Sequence, residues 1–195
     1  MKTDLLICEG FASGVTDGVL NKDYKTISYW VLPIVKRHLH LDKYSEVHST
    51  SIWARLLIRL FIKKNANKNK NLLLVGKSMG VVKLYRVIED HYHLFEKYNK
   101  ISFLSVDGHS RLFKDIFKGR KPYGEKRPFR YKHNWSRKKI AVFSLFQWFK
   151  FPKGAAWSNV PREDCKRVMN PTDHFKIIRD PEMFEQLDKA LRFLV

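Results

Sequence analysis

Residues 71–80 read NLLLVGKSMG, and this stretch decides the fold. Its first half is an apolar run of strand length, and residues 81–88 after it carry apolar side chains at helical spacing. Between the two, Gly76, Ser78 and Gly80 form the pattern G-x-S-x-G. A serine held between small residues at a strand-to-helix turn is lifted out of the sheet edge, beside the free N–H groups of the helix. The pattern predicts a reactive Ser78; its plainer interpretation is that both glycines only allow close helix–strand packing.

Other apolar runs of strand length alternate with helical patterns along the chain. Strands are predicted at 4–8, 44–48, 71–76, 101–106 and 140–147, and helices at 24–40, 51–64, 78–96 and from 181 onward. This alternation is typical of an α/β protein with a mostly parallel, doubly wound sheet and helices on both faces. For 195 residues we expect a single domain over 1–195.

The helix predicted at 51–64 has two distinct faces. We expect its apolar stripe to pack on the core and its cations to face solvent. The stripe consists of Trp53, Leu56, Leu57, Leu60 and Phe61, and the cations at four-residue spacing are Arg55, Arg59 and Lys63.

A reactive serine needs a base, and the base needs a carboxylate that orients it. Asp107 directly follows the strand at 101–106, and His174 lies in the loop NPTDHF before the last helix. Serine, then acid, then histidine is the chain order expected at the carboxyl edge of such a sheet. Taken singly, Asp107 is a common Asp-Gly turn residue and His174 a histidine beside a helix. Alternative acids are Glu163 and Asp164.

The segments ICEGFASG, LLLVGKSMG, SVDGHS and NPTDHFKIIRDP resemble landmarks of the α/β-hydrolase superfamily, in particular of its small lipase- and esterase-like members. The resemblance covers nearly the whole chain outside residues 111–139. Because the chain is short for this family, the resemblance implies a reduced α/β-hydrolase fold with a sheet of about five or six strands, an ordinary sheet size. It also implies that Ser78 is the nucleophile, His174 the general base and Asp107 the orienting acid.

The same resemblance implies an oxyanion hole built from the backbone N–H of Met79 and that of Phe11 or Ala12. The implied reaction is hydrolysis of a carboxylic ester or thioester through an acyl-serine, without a metal or an organic cofactor. Many members of the family carry the acid one strand later. No Asp or Glu occurs between Gln147 and Val160, and this favours Asp107.

The formal net charge is +19, and much of it falls between residues 111 and 139. Twelve Lys or Arg residues there are opposed only by Asp115 and Glu125, and aromatic residues are interleaved with them. We expect a basic insertion at about 109–139, which is either a solvated loop, a lid beside the site or a binding segment. A lid would bind an anionic head group or an acidic membrane. Its candidate anion-binding residues are Arg120, Lys121 and Arg127.

Two classes of function therefore stay open. The first is a serine esterase, whose acyl pocket would use Trp148 and its aromatic neighbours, although such a cluster is more often core. The second is a non-catalytic binding protein on the same scaffold, which uses its charge on an anionic membrane or on nucleic acid. In the latter case, the interleaved aromatics would stack on single-stranded bases.

Several other classes are disfavoured. No run approaches the roughly 20 apolar residues that span a membrane, and the acidic residues Asp4 and Glu9 flank a first apolar run too short for a signal peptide. Two cysteines cannot make a disulfide framework. The sequence HLHLD at 38–42 is similar to a metal-binding pattern whose last histidine is replaced by Lys43, so no metal site is expected. Together these features predict a cytoplasmic protein.

Overall fold

Six parallel strands form one sheet at the centre of the structure. The structure is a computed structural model, and it describes residues 1–10, 25–108, 133, 135, 139–147, 165–170 and 176–195. The strand order is β2-β1-β3-β4-β5-β6, and every neighbouring pair is parallel. The strands are β1 (Lys2–Glu9), β2 (Leu41–His48), β3 (Lys70–Lys77), β4 (Ile101–Val106), β5 (Ile140–Gln147) and β6 (Cys165–Asn170). The α/β class and the parallel sheet predicted from the sequence are confirmed.

Helices cover both faces of the sheet. The described helices are α1 (Ile27–His38), α2 (Ala54–Asn65), α3 (Met79–Asp90), α4 (Tyr92–Phe95) and α5 (Pro181–Leu194), with a short 3-10 helix at Lys176–Arg179. One core cluster joins α1 and α5 to one face of the sheet, and a second joins α2 and α3 to the other. Alternate residues of a strand serve the two clusters, as Leu73 and Leu74 of β3 do.

The last helix begins as the sequence indicates. Asp180 is its N-cap, and its Oδ1 accepts a hydrogen bond of 3.0 Å from the N–H of Glu182. Pro181 occupies the first turn, where its missing N–H costs nothing. Met183 and Leu187 are fully buried against the sheet, as their spacing predicts.

The face of α2 that packs on the core is not the predicted one. The buried residues are Ala54, Ile58 and Ile62, a narrow stripe of small and β-branched side chains spaced four residues apart. The predicted stripe is largely in solvent: Trp53 is 60% exposed and Leu60 50% exposed. Because α2 carries apolar residues on more than half of its circumference, hydrophobic periodicity does not decide which part of it meets the sheet.

The end of the basic segment is anchored in the core. Trp135 is completely buried, and its Nε1 donates a hydrogen bond of 2.6 Å to Oε1 of Glu89. Its ring packs against Tyr85, with ring centroids 5.5 Å apart. His133 stacks on Tyr92 at 4.3 Å. Trp135 is therefore a structural residue and not one of the aromatics available to stack on a ligand.

No helix in the described part of the chain is long and apolar enough to cross a membrane. The cytoplasmic setting stays a prediction from the sequence.

The start of α3 lies in direct contact with the end of β1. A Cβ atom added to Gly80 would collide with the backbone carbonyl of Cys8 and would lie 3.0 Å from the carbonyl oxygen of Glu9. A Cβ on Gly76 would lie 2.9 Å from Cα of Val81. Backbone atoms cannot move aside as side chains do, so only glycine fits these positions.

We expect Gly80→Ala to lower the free energy of unfolding by at least about 3 kcal/mol, because the new methyl group overlaps the backbone of a central strand. Urea unfolding followed by circular dichroism measures the change. The control is Arg86→Ala on the exposed side of α3, which should change it by less than about 0.5 kcal/mol. Equal unfolding midpoints for the two variants would contradict the close approach.

Candidate active site

Ser78 stands at the turn between β3 and α3 in a strained backbone conformation. Its φ of 53° and ψ of −123° lie in a region that residues with side chains rarely occupy. The turn is held in place because the N–H of Ser78 donates a hydrogen bond of 3.0 Å to the carbonyl oxygen of Val106. The strand–turn–helix geometry predicted from G-x-S-x-G is present, and the strain confines the side chain to the carboxyl edge of the sheet.

Gly10, at the end of β1, lies directly against Ser78. A Cβ atom on Gly10 would be 2.9 Å from Cβ of Ser78 and 3.5 Å from its Oγ. The end of β1 therefore lies next to the hydroxyl group of Ser78. Met79 is the first residue of α3, and first-turn N–H groups have no acceptor within their own helix. Ser78 thus sits at the positive end of the α3 dipole.

Asp107 is brought to the same edge by β4, the strand next to β3. In the register of the two strands Lys77 lies opposite Val106, so Ser78 and Asp107 are the next residues along, on strands about 5 Å apart. Asp107 is completely buried and has a φ of 45°. Its N–H donates a hydrogen bond of 2.7 Å to the carbonyl oxygen of Leu145. Two of the three predicted triad residues therefore meet at one edge.

The remaining predicted site residues lie outside the described residues: His174, Phe11, Ala12, Trp148, Arg120, Lys121 and Arg127, and with them the alternative acids Glu163 and Asp164. The described chain ends before His174 at Asn170, the last residue of β6, and resumes at the 3-10 helix. No strand was expected at 165–170, because Lys166 and Arg167 leave this short stretch without an apolar run.

A buried carboxylate beside the site was not predicted. Glu9 precedes Gly10, is fully buried, and its Oε1 accepts a hydrogen bond of 3.0 Å from the N–H of Ser28 in the first turn of α1. The side chain thus ties the end of β1 to the N-terminus of α1. The available signal was its position, since a carboxylate that ends a fully buried strand must find partners inside the protein.

The surroundings of Glu9 make its ionisation difficult. Burial raises the pKa of Glu9 to about 7, and the charge of Glu46 adds to this rise. The hydrogen bond from Ser28 and the charge of Lys77 act in the opposite direction but do not outweigh burial. Lys77, the residue before the serine, is itself only 1% exposed. A titrating carboxylate and a buried amine therefore lie beneath the site.

In the sequence HLHLD at 38–42, Asp42 forms ion pairs with two lysines, on the neighbouring strands β1 and β3. The carboxylate of Asp42 contacts Nζ of Lys2 at 3.4 Å and also pairs with Lys70. Throughout the described ranges, no three His, Cys, Asp or Glu side chains are grouped so that they could hold a metal ion.

Solved structures with the same architecture include two hydrolases. A serine hydrolase involved in carbazole degradation, the CarC enzyme, gives a TM-score of 0.52 at 14% sequence identity, covering 98% of this chain and 90% of that one. A structure reported with carboxylesterases of the ammonia-oxidizing thaumarchaeon Nitrososphaera gargenis gives 0.53 at 12% identity, covering 97% and 90%. No protein-family model matches the sequence, and no curated protein matches it.

The fold is therefore of the α/β-hydrolase type. The six parallel strands, the helices on both faces and the serine at the turn after β3 agree with that class. At sequence identities of 12–14%, the structural similarity supports only the architecture.

We expect Glu9→Gln to stabilise the protein at about pH 8 and to have little effect at about pH 5. Between the ordinary pKa of 4.5 and about 7 the folded protein binds more protons at Glu9 than the unfolded chain does. The free energy of unfolding of the wild type therefore falls as pH rises through this window. Glutamine keeps an acceptor for Ser28 and carries no charge, so the variant avoids this loss.

Urea unfolding of both proteins across this pH range measures the difference, and each pKa unit corresponds to about 1.4 kcal/mol. The control is Glu185→Gln, which removes an exposed carboxylate in a surface ion pair with Lys189 and should change the free energy of unfolding by less than about 1 kcal/mol. A difference for Glu9→Gln that does not change with pH would contradict the raised pKa of Glu9.

Proposed function

We propose that this protein is a serine hydrolase that cleaves a carboxylic ester or thioester through an acyl-serine intermediate. The observation that carries the proposal is the strained Ser78 at the N-terminus of α3, with the buried Asp107 at the adjacent strand end. Strain of this kind is stored where a side chain must be held for chemistry. The two structural neighbours, one a serine hydrolase and one reported with carboxylesterases, support the same class.

In the proposed reaction, Oγ of Ser78 attacks the carbonyl carbon while His174 takes its proton. The tetrahedral intermediate then collapses, the bond to the leaving group breaks, and His174 returns the proton to the departing alcohol or thiol. His174 next activates a water molecule, which releases the acid and restores Ser78. Asp107 holds the imidazole in the tautomer that accepts this proton.

The negative charge that develops on the carbonyl oxygen needs donors. The first proposed donor is the N–H of Met79 in the first turn of α3. The second is the N–H of Phe11 or Ala12, which follow Gly10 in the chain, and Gly10 lies against Ser78. Each well-placed donor lowers the barrier by about 3 kcal/mol.

Chain length allows His174 to take part. β6 ends at Asn170, two strands from β4, which is about 10 Å at the usual strand spacing. Four residues of extended chain reach about 13 Å. The chain between Asn170 and His174 is thus long enough to span the distance to Asp107.

The segment 109–139 begins two residues after Asp107 in the chain. We therefore propose it as a lid that offers Arg120, Lys121 and Arg127 to an anionic or lipid-like ester, with Trp148 at the acyl side. The rival is a binding protein for nucleic acid, with the same cations on phosphates. Salt-dependent gel shifts separate the two, because phosphate binding weakens steeply with salt.

We expect Ser78→Ala to abolish labelling by a fluorophosphonate probe and hydrolysis of a panel of p-nitrophenyl esters. The matched control is Ser49→Ala, a serine buried at the same edge whose N–H donates to the carbonyl of Glu9. This control should be labelled like the wild type. A wild-type protein that is folded but not labelled would remove the enzymatic proposal and leave the binding protein.

We expect Asp107→Asn to lower kcat about ten-thousandfold with little change in KM, because the amide favours the wrong imidazole tautomer. Asparagine tolerates a positive φ, so the backbone at this position should be kept. Steady-state kinetics and a urea unfolding midpoint report activity and folding separately. A small effect here and a large one for Glu163→Gln or Asp164→Asn would assign the orienting acid to one of those residues.

A further inference from the structure

Helix α2 presents three different faces. Its core face, Ala54, Ile58 and Ile62, is completely buried against the sheet and α3. At about 100° per residue, the next sector of the helix holds Arg55, Arg59 and Lys63. The remaining sector is apolar. It consists of Trp53 at the N-cap, Leu56, Leu57, Leu60 and Phe61, with Lys64 among them. We call this sector the apolar face of α2.

The apolar face is open to solvent. Trp53 is 60% exposed, Leu57 45% and Leu60 50%, and Ile52 just before the helix is 86% exposed. Single exposed apolar residues are ordinary, but a contiguous set that includes an aromatic residue marks a surface that binds a protein or a membrane. Phe61, at the edge of this face, packs partly against the core. In the described part of the chain, Trp53, Leu57 and Leu60 stay about half exposed, although burial of such a side chain is worth about 1.5–3 kcal/mol.

The cations beside the apolar face indicate which kind of partner it binds. α2 carries four cations and no acidic residue. Arg55 is engaged by Asp90 of α3. Among the described residues, Arg59, Lys63 and Lys64 have no carboxylate partner, and Arg59 and Lys63 lie along one border of the apolar face. Apolar and aromatic residues bordered by unpaired cations are the composition of helices that lie in the surface of an anionic bilayer.

We propose that the apolar face of α2 docks on a lipid bilayer that contains anionic lipids, with Trp53 and Leu60 entering the acyl boundary and Arg59 and Lys63 on the head groups. A second copy of the chain fits poorly, because a symmetric contact would bring these cations together on chains that each carry a formal charge of +19. Long cationic side chains can instead reach past buried leucines to lipid phosphates.

The position of α2 gives the docking an orientation. β2 ends at the carboxyl edge of the sheet, where the N–H of Ser49 donates to the carbonyl of Glu9. Ile52 and Trp53 follow within four residues, so the apolar face begins at the edge that carries Ser78. The proposal does not rest on Ser78 being a nucleophile, since the surface is defined by α2 alone.

Cosedimentation with vesicles of phosphatidylcholine alone, or mixed with phosphatidylserine, tests the proposal. The wild type should bind the mixed vesicles at least about tenfold more tightly than the neutral ones, and added salt should weaken that binding. Arg59→Gln with Lys63→Gln should weaken it about twentyfold, since each cation near the surface contributes roughly fivefold. Trp53→Gln with Leu60→Gln should weaken it at least about tenfold.

Matched controls come from α1, which covers the opposite face of the sheet. Lys36→Gln with Arg37→Gln removes the same charge from exposed positions, and Tyr29→Gln removes an exposed aromatic ring. Both should bind within about threefold of the wild type. Ser78→Ala should bind like the wild type, which separates this proposal from the catalytic one. Because all these positions except Ser78 are exposed, unfolding midpoints should stay unchanged.

Three results would overturn the proposal. The first is a wild type that does not bind the mixed vesicles. The second is binding that survives both α2 variants but is lost when Arg120, Lys121 and Arg127 are neutralised, which would assign it to the basic segment. The third is a lipid-free dimer that Trp53→Gln with Leu60→Gln converts to monomer, which would make a second copy the occupant.

Discussion

The contact between the end of β1 and the start of α3 is the constraint on which the site depends. Gly80 lies so close to the carbonyl of Cys8 that no side chain fits, and Gly10 lies against Ser78. This approach forces the chain to turn sharply after β3 and holds Ser78 at a positive φ. Close packing and strain therefore have one origin: the glycines of G-x-S-x-G allow the close approach, and the same turn strains Ser78. The reactivity of Ser78 stays a prediction.

The parallel sheet then gathers polar groups at one edge. Glu9 ends β1, and Ser78 and Asp107 directly follow β3 and β4, strands whose central residues are buried. Their hydrogen bonds hold the edge together: Glu9 receives the N–H of Ser28, and Ser78 donates to the carbonyl of Val106. Because the pKa of Glu9 is raised to about 7, the free energy of unfolding falls as the pH rises towards that value.

Prediction from the sequence succeeded where a local pattern allowed one structure, and it failed where the pattern allowed two. The run at 101–106 and the capped helix at Pro181–Leu194 were found because an apolar run and an Asp-Pro-Glu start have one local interpretation. The face of α2 was predicted wrongly, since both of its apolar sectors could serve as a core face. The burial of Trp135 had no local signal, because its partner Glu89 is distant in sequence.

The sequence by itself determined the parallel α/β architecture, the turn around Ser78 and the order of the polar strand ends, since these follow from apolar runs and glycine spacing within a few residues. Tertiary structure alone decided that Asp107 lies beside Ser78, that Glu9 is buried and bound to α1, and that α2 turns leucine and tryptophan to solvent. The physical reason is that strand neighbours and helix faces are chosen by packing between segments far apart in the chain, and that choice leaves no local trace.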